Sequence, residues 1–182
     1  WRVREFSNAE RSFTDAINSS PQYASLAYYY RAEMVFKSGK IESALLDVNK
    51  SLTQDPLNVQ AHNLRGRIHT LQGNYKEAIG DLSAAITIEG ESRVTGYLHH
   101  NRAIAYIGMD DFKSARDDCE QYIRFLRINN LPITVEDNYL LGVLQYAADD
   151  EDDALTSWEH LPHEEKEKIR KVVENSNSMN QL

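Results

Sequence analysis

The chain has 182 residues, of which 41% are hydrophobic and 26% charged; that balance supports the core of one folded domain and excludes a disordered or low-complexity chain. A formal net charge of −8 disfavours nucleic-acid phosphate and anionic lipid as partners and leaves a neutral or basic polypeptide as the easier one. The single cysteine, Cys119, excludes an intramolecular disulfide and a cysteine-built zinc site, and a reducing, cytoplasmic setting is the simplest expectation. No apolar run approaches the roughly 18 residues of a membrane span, so no membrane insertion is expected, and no secretory leader pattern opens the chain. It begins at Trp1 rather than methionine, as expected of a fragment, so any targeting segment or second domain would lie outside it.

In chain order, the first predicted element is a lone amphipathic helix carrying Ala9, Phe13 and Ala16 and ending before Pro21. Between Ser25 and Pro56 two helices are predicted. Tyr28, Ala32 and Val35 share a face of the first, and Gly39 breaks it, since glycine accepts the left-handed turn that ends a helix. Ile41, Ala44, Leu45, Val48 and Leu52 line the second, which stops at Asp55-Pro56 because proline disfavours helical geometry in the residue before it. The pattern returns after about 34 residues: Gly39, Ile41, Ala44 and Pro56 are answered by Gly73, Tyr75, Ala78 and Gly90. After an insertion around Glu91–Arg93 it returns as His99, Ala103, Tyr106, Ala115, Cys119 and Tyr122, and more faintly as Gly142, Ala154, Trp158 and Leu161. His163–Asn175 is a charged stretch with Ile169, Val172 and Val173 on one side; its polar outer face suits a terminal capping helix.

A period of this length marks stacked helical hairpins rather than one globular core. The spacing resembles the tetratricopeptide repeat, whose consensus reads W-x2-L-G-x2-Y and then A-x3-F, closing on proline. The first full unit carries Tyr28, Ala32, Val35, Ala44, Val48, Ser51 and Pro56 at those places, and the second carries His62, Gly66, His69, Ala78, Leu82, Ala85 and Gly90. The resemblance implies an all-α, right-handed superhelical solenoid of antiparallel helix pairs, with about four full repeats. Its units would be a half-repeat at 1–21, repeats at 25–58, 59–92, 96–129 and 135–162, a capping helix at 163–175 and a tail at 176–182.

The same resemblance implies a concave groove lined by first helices. Carried onto this sequence it offers Leu26, Tyr29, Tyr30 and Glu33, then Gln60, Asn63, Leu64 and Arg67. The third unit offers Tyr97, His100, Asn101 and Ile104, the fourth Glu136, Tyr139, Leu140 and Val143. Of these, Tyr29, Tyr30, Glu33, Gln60, Asn63, Arg67, Tyr97, His100, Asn101 and Tyr139 form the candidate peptide-binding set. Tyrosine supplies rigid contact area with a hydroxyl, and an amide can pair with a peptide backbone. One subfamily clamps the C-terminal carboxylate of chaperones. Asn101-Arg102-Ala103 with Asp118-Cys119 resembles its middle repeat, but Glu136 and Leu140 stand where the following cations belong, and an acid there repels a carboxylate.

Other features are read as structural. Arg31, Arg65 and Arg102 recur at one repeat position and are expected to pack along their hairpins with the heads paired to neighbouring carboxylates or carbonyls. The run Asp149-Asp150-Glu151-Asp152-Asp153 lacks the glycine and distal glutamate of a calcium loop; it is expected to cap a helix N-terminus and to attract a basic partner. Of the six histidines, His62, His69 and His99 take wall positions and His160 and His163 straddle Pro162, so no metal site is expected. Cys119 takes a core position. No nucleophile–base pair and no phosphate loop calls for an enzyme or a cofactor. The expected function is a non-enzymatic adaptor or co-chaperone-like scaffold for a protein or peptide ligand; the alternatives are self-association through exposed repeat ends, or the regulatory arm of a larger protein. The small residues where two helices cross are the fragile points. Ala78→Leu is expected to cost about 1–3 kcal/mol or more by overpacking, and Lys76→Ala less than about 0.5 kcal/mol, both read from urea midpoints.

Overall fold

The computed structural model describes residues 2–90, 95–147 and 151–159. The expected insertion at Glu91–Arg93, Asp149 and Asp150 of the acidic run, His160, Leu161, His163, the capping helix and the tail lie outside the described residues. Within them the chain is helical throughout: α1 Arg2–Ser19, a 3-10 turn at Pro21–Tyr23, α2 Ala24–Lys37, α3 Ile41–Gln54, α4 Val59–Leu71, α5 Tyr75–Glu89, α6 Gly96–Ile107, α7 Phe112–Ile128, α8 Val135–Ala147 and α9 Glu151–Trp158. Successive helices pair as hairpins α2–α3, α4–α5, α6–α7 and α8–α9. Each hairpin also packs on the next, and α4 touches both α2 and α6, so α2, α4 and α6 run side by side along one face of the stack.

Local chemistry sets the helix ends. Asn58 accepts the Ala61 amide at 3.0 Å and Asp111 accepts the Ser114 amide at 3.1 Å, opening α4 and α7. At α8 the exchange is reciprocal: Thr134 Oγ1 accepts from the Asp137 amide at 3.1 Å while Asp137 Oδ2 accepts from the Thr134 amide at 2.8 Å. Glu151–Asp153, the described part of the acidic run, form the first turn of α9. The turns inside the first three hairpins share one geometry. Lys40, Asn74 and Asp111 donate their amides to the carbonyls of Val35, His69 and Tyr106 at 3.0, 2.9 and 3.0 Å. Each such turn needs one left-handed residue, supplied by Gly39 at φ 80°, Gly73 at φ 77° and, without a glycine, Asp110 at φ 58°.

The core is a row of small residues where paired helices cross. Ala32, Ala44, Ala78, Ala115 and Ala154 are fully buried. Across the four hairpins the facing side chains compensate in volume. Ala32 is matched in register by Val48 and Ala103 by Cys119, whereas Gly66 is matched by Leu82 and Gly142 by Trp158. A Cβ added at Gly66 would sit 2.7 Å from Leu82 Cγ, and one at Gly142 only 2.0 Å from Trp158 Nε1. Where the first helix yields a methyl, the second fills the space, as dense packing requires. Leu64, offered to the groove by its repeat register, is instead 2% exposed and packs in the core with Val48 and Ile68. Leu140 is likewise half-buried against the α7–α8 core. At Leu64 the inter-helix seam offers burial worth about 1.5–3 kcal/mol, whereas Tyr30 at the same repeat position stays open.

Asp110 holds a backbone conformation that costs a residue with a Cβ about 1 kcal/mol relative to glycine. Asp110→Gly is therefore expected to raise stability by up to about 1 kcal/mol, less the added entropy of the unfolded chain; a higher urea midpoint at unchanged slope is the reading that checks it.

Candidate functional site

Each of the first three hairpins is closed by an arginine on its first helix. Arg31 meets Asp47 through two parallel bonds, Nε to Oδ2 at 2.6 Å and Nη2 to Oδ1 at 2.7 Å. Arg65 meets Asp81 at 2.8 and 2.6 Å, and Arg102 meets Asp118 at 2.7 and 2.8 Å. The remaining nitrogen, Nη1, reaches the preceding hairpin or helix: Thr14 Oγ1 at 2.9 Å from Arg31, Asn49 Oδ1 at 2.8 Å from Arg65, and Ser83 Oγ at 2.9 Å from Arg102. One planar guanidinium thus ties three helices, using the bidentate geometry that lysine lacks. The structural expectation for these arginines holds. What sequence reasoning missed was their partners, although the signal was there: each aspartate lies 16 residues after its arginine.

Two histidines join the same carboxylates. His62 Nδ1 lies 3.1 Å from Asp81 Oδ1 and His99 Nδ1 2.6 Å from Asp118 Oδ1; they are half-buried as expected, but as polar partners rather than passive wall. Tyr28 fills the equivalent place in the first hairpin, its ring centroid 5.5 Å from the Arg31 guanidinium. Burial pushes the Asp118 carboxyl upward, but hydrogen bonds from Arg102 and His99 outweigh it and hold the group below its ordinary value of 3.8. The fourth hairpin departs from the pattern. Leu141 stands in the arginine's place, 6% exposed, and Ser157 in the aspartate's; Ser157 Oγ donates instead to Gln145 Oε1 at 2.7 Å.

The candidate groove residues fall into two groups and some outliers. Tyr29, Glu33 and Arg67 lie together, with Asn63 further along α4. The Tyr29 hydroxyl donates to Glu33 Oε2 at 3.4 Å, and burial, then the Glu33 charge, pushes the phenol up to about 12. Glu33 also pairs with Lys37 at 3.0 Å. Arg67 lies over the Phe36 ring at 5.3 Å. Asn101 Nδ2 donates to Asn63 Oδ1 at 2.8 Å, so these two amides, expected to stand open to a ligand, partly satisfy each other across α4 and α6. The second group is aromatic: His100 packs at a tilt against Tyr122 at 4.7 Å, and Tyr97 meets Phe125 at 5.1 Å and Tyr122 at 6.1 Å. Burial lowers the His100 imidazole, against the opposing effects of Asp137 and Asn101, which leaves the ring neutral at pH 7. Tyr30 is 45% exposed and leans on Phe13 of α1. Gln60 is exposed at the edge, in a concavity shared with Tyr23, Leu26 and Leu57. Tyr139 stands 41% exposed on α8. Cys119 is 2% exposed and burial pushes its thiol up to about 12, so it offers no thiolate nucleophile at neutral pH. Among the described residues no group of acidic, histidine and cysteine side chains is placed to hold a metal ion.

Stacked antiparallel hairpins with this register define a helical-repeat solenoid of the tetratricopeptide type; the family model, described as tetratricopeptide repeat, matches residues 35–92. Among curated relatives it is 26% identical over 177 residues to the DnaJ homolog subfamily C member 7 homolog of Dictyostelium discoideum, covering 94% of this chain and 30% of that protein. The chain spans less than a third of the length of the curated relatives it matches. Among solved structures it resembles MamA, with a TM-score of 0.73 at 15% identity, covering 93% of this chain and 94% of that one. It also resembles the first repeat domain of Spaghetti (RPAP3) bound to the HSP90 peptide SRMEEVD, with a TM-score of 0.60 at 19% identity, covering 69% and 93%. At these identities the structures share the fold.

The depressed Asp118 carboxyl contributes stability that is present above its unfolded value and lost as pH falls through the folded one. The wild-type chain is expected to lose stability as pH drops below about 4. Asp118→Asn, which leaves Arg102 short of its counter-charge, is expected to lose about 3 kcal/mol at pH 7 and to show a flatter acid limb. Urea unfolding from pH 7 to pH 3 checks both.

Proposed function

We propose that this chain is a non-enzymatic protein-interaction module that binds a segment of a partner protein along the face formed by α2, α4, α6 and α8. The observation that carries this reading is a set of large apolar side chains left open on three of those helices, α2, α6 and α8. Leu26, Tyr30, Tyr97, Ile104, Tyr139 and Val143 are all more than a third exposed, although the fold has buried places for residues of their kind. Open apolar surface of this sort marks binding sites. The preformed hairpins lose little ordering entropy on binding. Relatives support the reading in kind, since the repeat domain of Spaghetti (RPAP3) holds a peptide.

An adaptor role follows from this reading, and a role beside chaperones is its more specific form, supported by the DnaJ-type relative. The C-terminal carboxylate is a poor ligand, because Arg67 lies over Phe36 and exposed Glu136 stands where a cation would be needed. In the same reading the repeats are the units 25–58, 59–92, 96–129 and 135–162, with 1–21 a half-repeat. No described helix is long and apolar enough to cross a membrane.

The test is paired affinity capture with wild-type chain and the variant Tyr30→Ala/Tyr97→Ala/Tyr139→Ala, both verified as folded by circular dichroism. A partner retained only by the wild type is the expected outcome. Partners held equally by both would move recognition away from this face.

A further inference from the structure

The two halves of the candidate groove differ in charge. On α2 and α4, Glu33 and Lys37 cancel in a 3.0 Å pair and Arg67 lies over Phe36. On α6 and α8 the balance is one-sided. The only cation of α6, Arg102, spends all three nitrogens on Asp118 and Ser83. Helix α8 contains no lysine or arginine but opens with Glu136 and Asp137. Asp137 uses Oδ2 to cap the helix, and its charge still reaches His100 on α6 and Tyr122 on α7. Glu136 is exposed, and its spacing to Tyr139 and Val143, 41% and 37% exposed, puts all three on one stripe of α8. On α6 the matching stripe is Tyr97 and Ile104, 50% and 41% exposed, with neutral His100 between them. Arg124 and Arg127 of α7 do not answer this charge, because they line the outer crevice with Leu141 and Gln145, on the far side of α8.

From this we infer that the α6–α8 half of the groove selects a cationic amphipathic peptide segment: a lysine or arginine seated beside Glu136 and over the Tyr139 ring, flanked by apolar side chains that pack on Tyr97 and Ile104. The chemistry is complementary at each point. An exposed carboxylate attracts the cation, a tyrosine face supplies a second favourable contact, and the open apolar side chains lose water only to apolar neighbours. An acidic segment would meet Glu136 and Asp137, and neither α6 nor α8 has an uncommitted lysine or arginine to offset them. This inference rests on the groove reading above and gives it a ligand class.

Selection of a phage-displayed random peptide library on the immobilised chain tests both, with the best peptide then synthesised, labelled and titrated by fluorescence anisotropy. The expected sequences pair lysine or arginine with aliphatic or aromatic neighbours. Their affinity should fall about tenfold with Glu136→Lys, the reversal of an exposed charge pair, fall with Tyr139→Ala, and weaken as salt is raised. Acidic or neutral peptides that respond to Tyr97→Ala and Tyr139→Ala but not to Glu136→Lys would overturn the ligand class and leave the groove reading standing. Selected peptides indifferent to all three substitutions, or no enrichment at all, would overturn both. Circular dichroism of each variant separates a lost contact from a lost fold.

Discussion

A guanidinium shared between three helices is the interaction on which the rest of this structure depends. Hydrophobic seams bring the helices of each hairpin together, but apolar packing alone tolerates sliding by a fraction of a turn. The Arg31–Asp47, Arg65–Asp81 and Arg102–Asp118 pairs do not, because two parallel bonds fix both distance and angle. The third nitrogen then transmits that register to the preceding helix through Thr14, Asn49 or Ser83. Ion pairs as buried as these are weak evidence of net stabilisation, since desolvation consumes much of the attraction. Their contribution lies in geometry: they set how one repeat is rotated against the next, and so where the first helices present their open side chains.

That arrangement also governs the electrostatics of the candidate groove. Each arginine of the ladder is committed to the frame, and the glutamate–lysine pair on α2 cancels within its own helix. What remains on the α6 and α8 face is tyrosine, isoleucine, valine, a neutral histidine and two acids. A fold that spends its cations on its own register leaves an acidic, aromatic surface, and the ligand chemistry follows from that remainder. The fourth hairpin shows the counter-case. With Leu141 and Ser157 in place of the ion pair, apolar packing of Leu141 and Leu144 against α7 contributes to the junction.

The helices were legible from sequence because their determinants are local or strictly periodic: Gly39 and Gly73 at the turns, proline after α3, and small residues at a fixed register. The Asp110 turn was less so, since an aspartate in the left-handed region leaves no mark that a glycine would. Family register placed Tyr30, Tyr97 and Tyr139 at positions that are open in the structure, and misplaced Leu64, whose side chain the core captured. The arginine–aspartate spacing was visible as a pattern but matched no helical rule; it acquires meaning only when two antiparallel helices bring the residues together. The Asn63–Asn101 bond, spanning 38 residues, depends on how repeats stack and had no local signal at all. Packing within a hairpin can be read along the chain, whereas polar pairing between hairpins has to be seen.

Cys119 carries a consequence of a different kind. Its thiol lies at the crossing of α6 and α7, 2% exposed, and is held almost wholly protonated at neutral pH. An electrophile in solution therefore finds little to react with until the packing around α7, by α6 or by Leu141 and Leu144 of α8, opens. The lone cysteine works as a timer set into the third repeat: the rate at which it is alkylated follows the openings that uncover α7, without a probe having to be introduced.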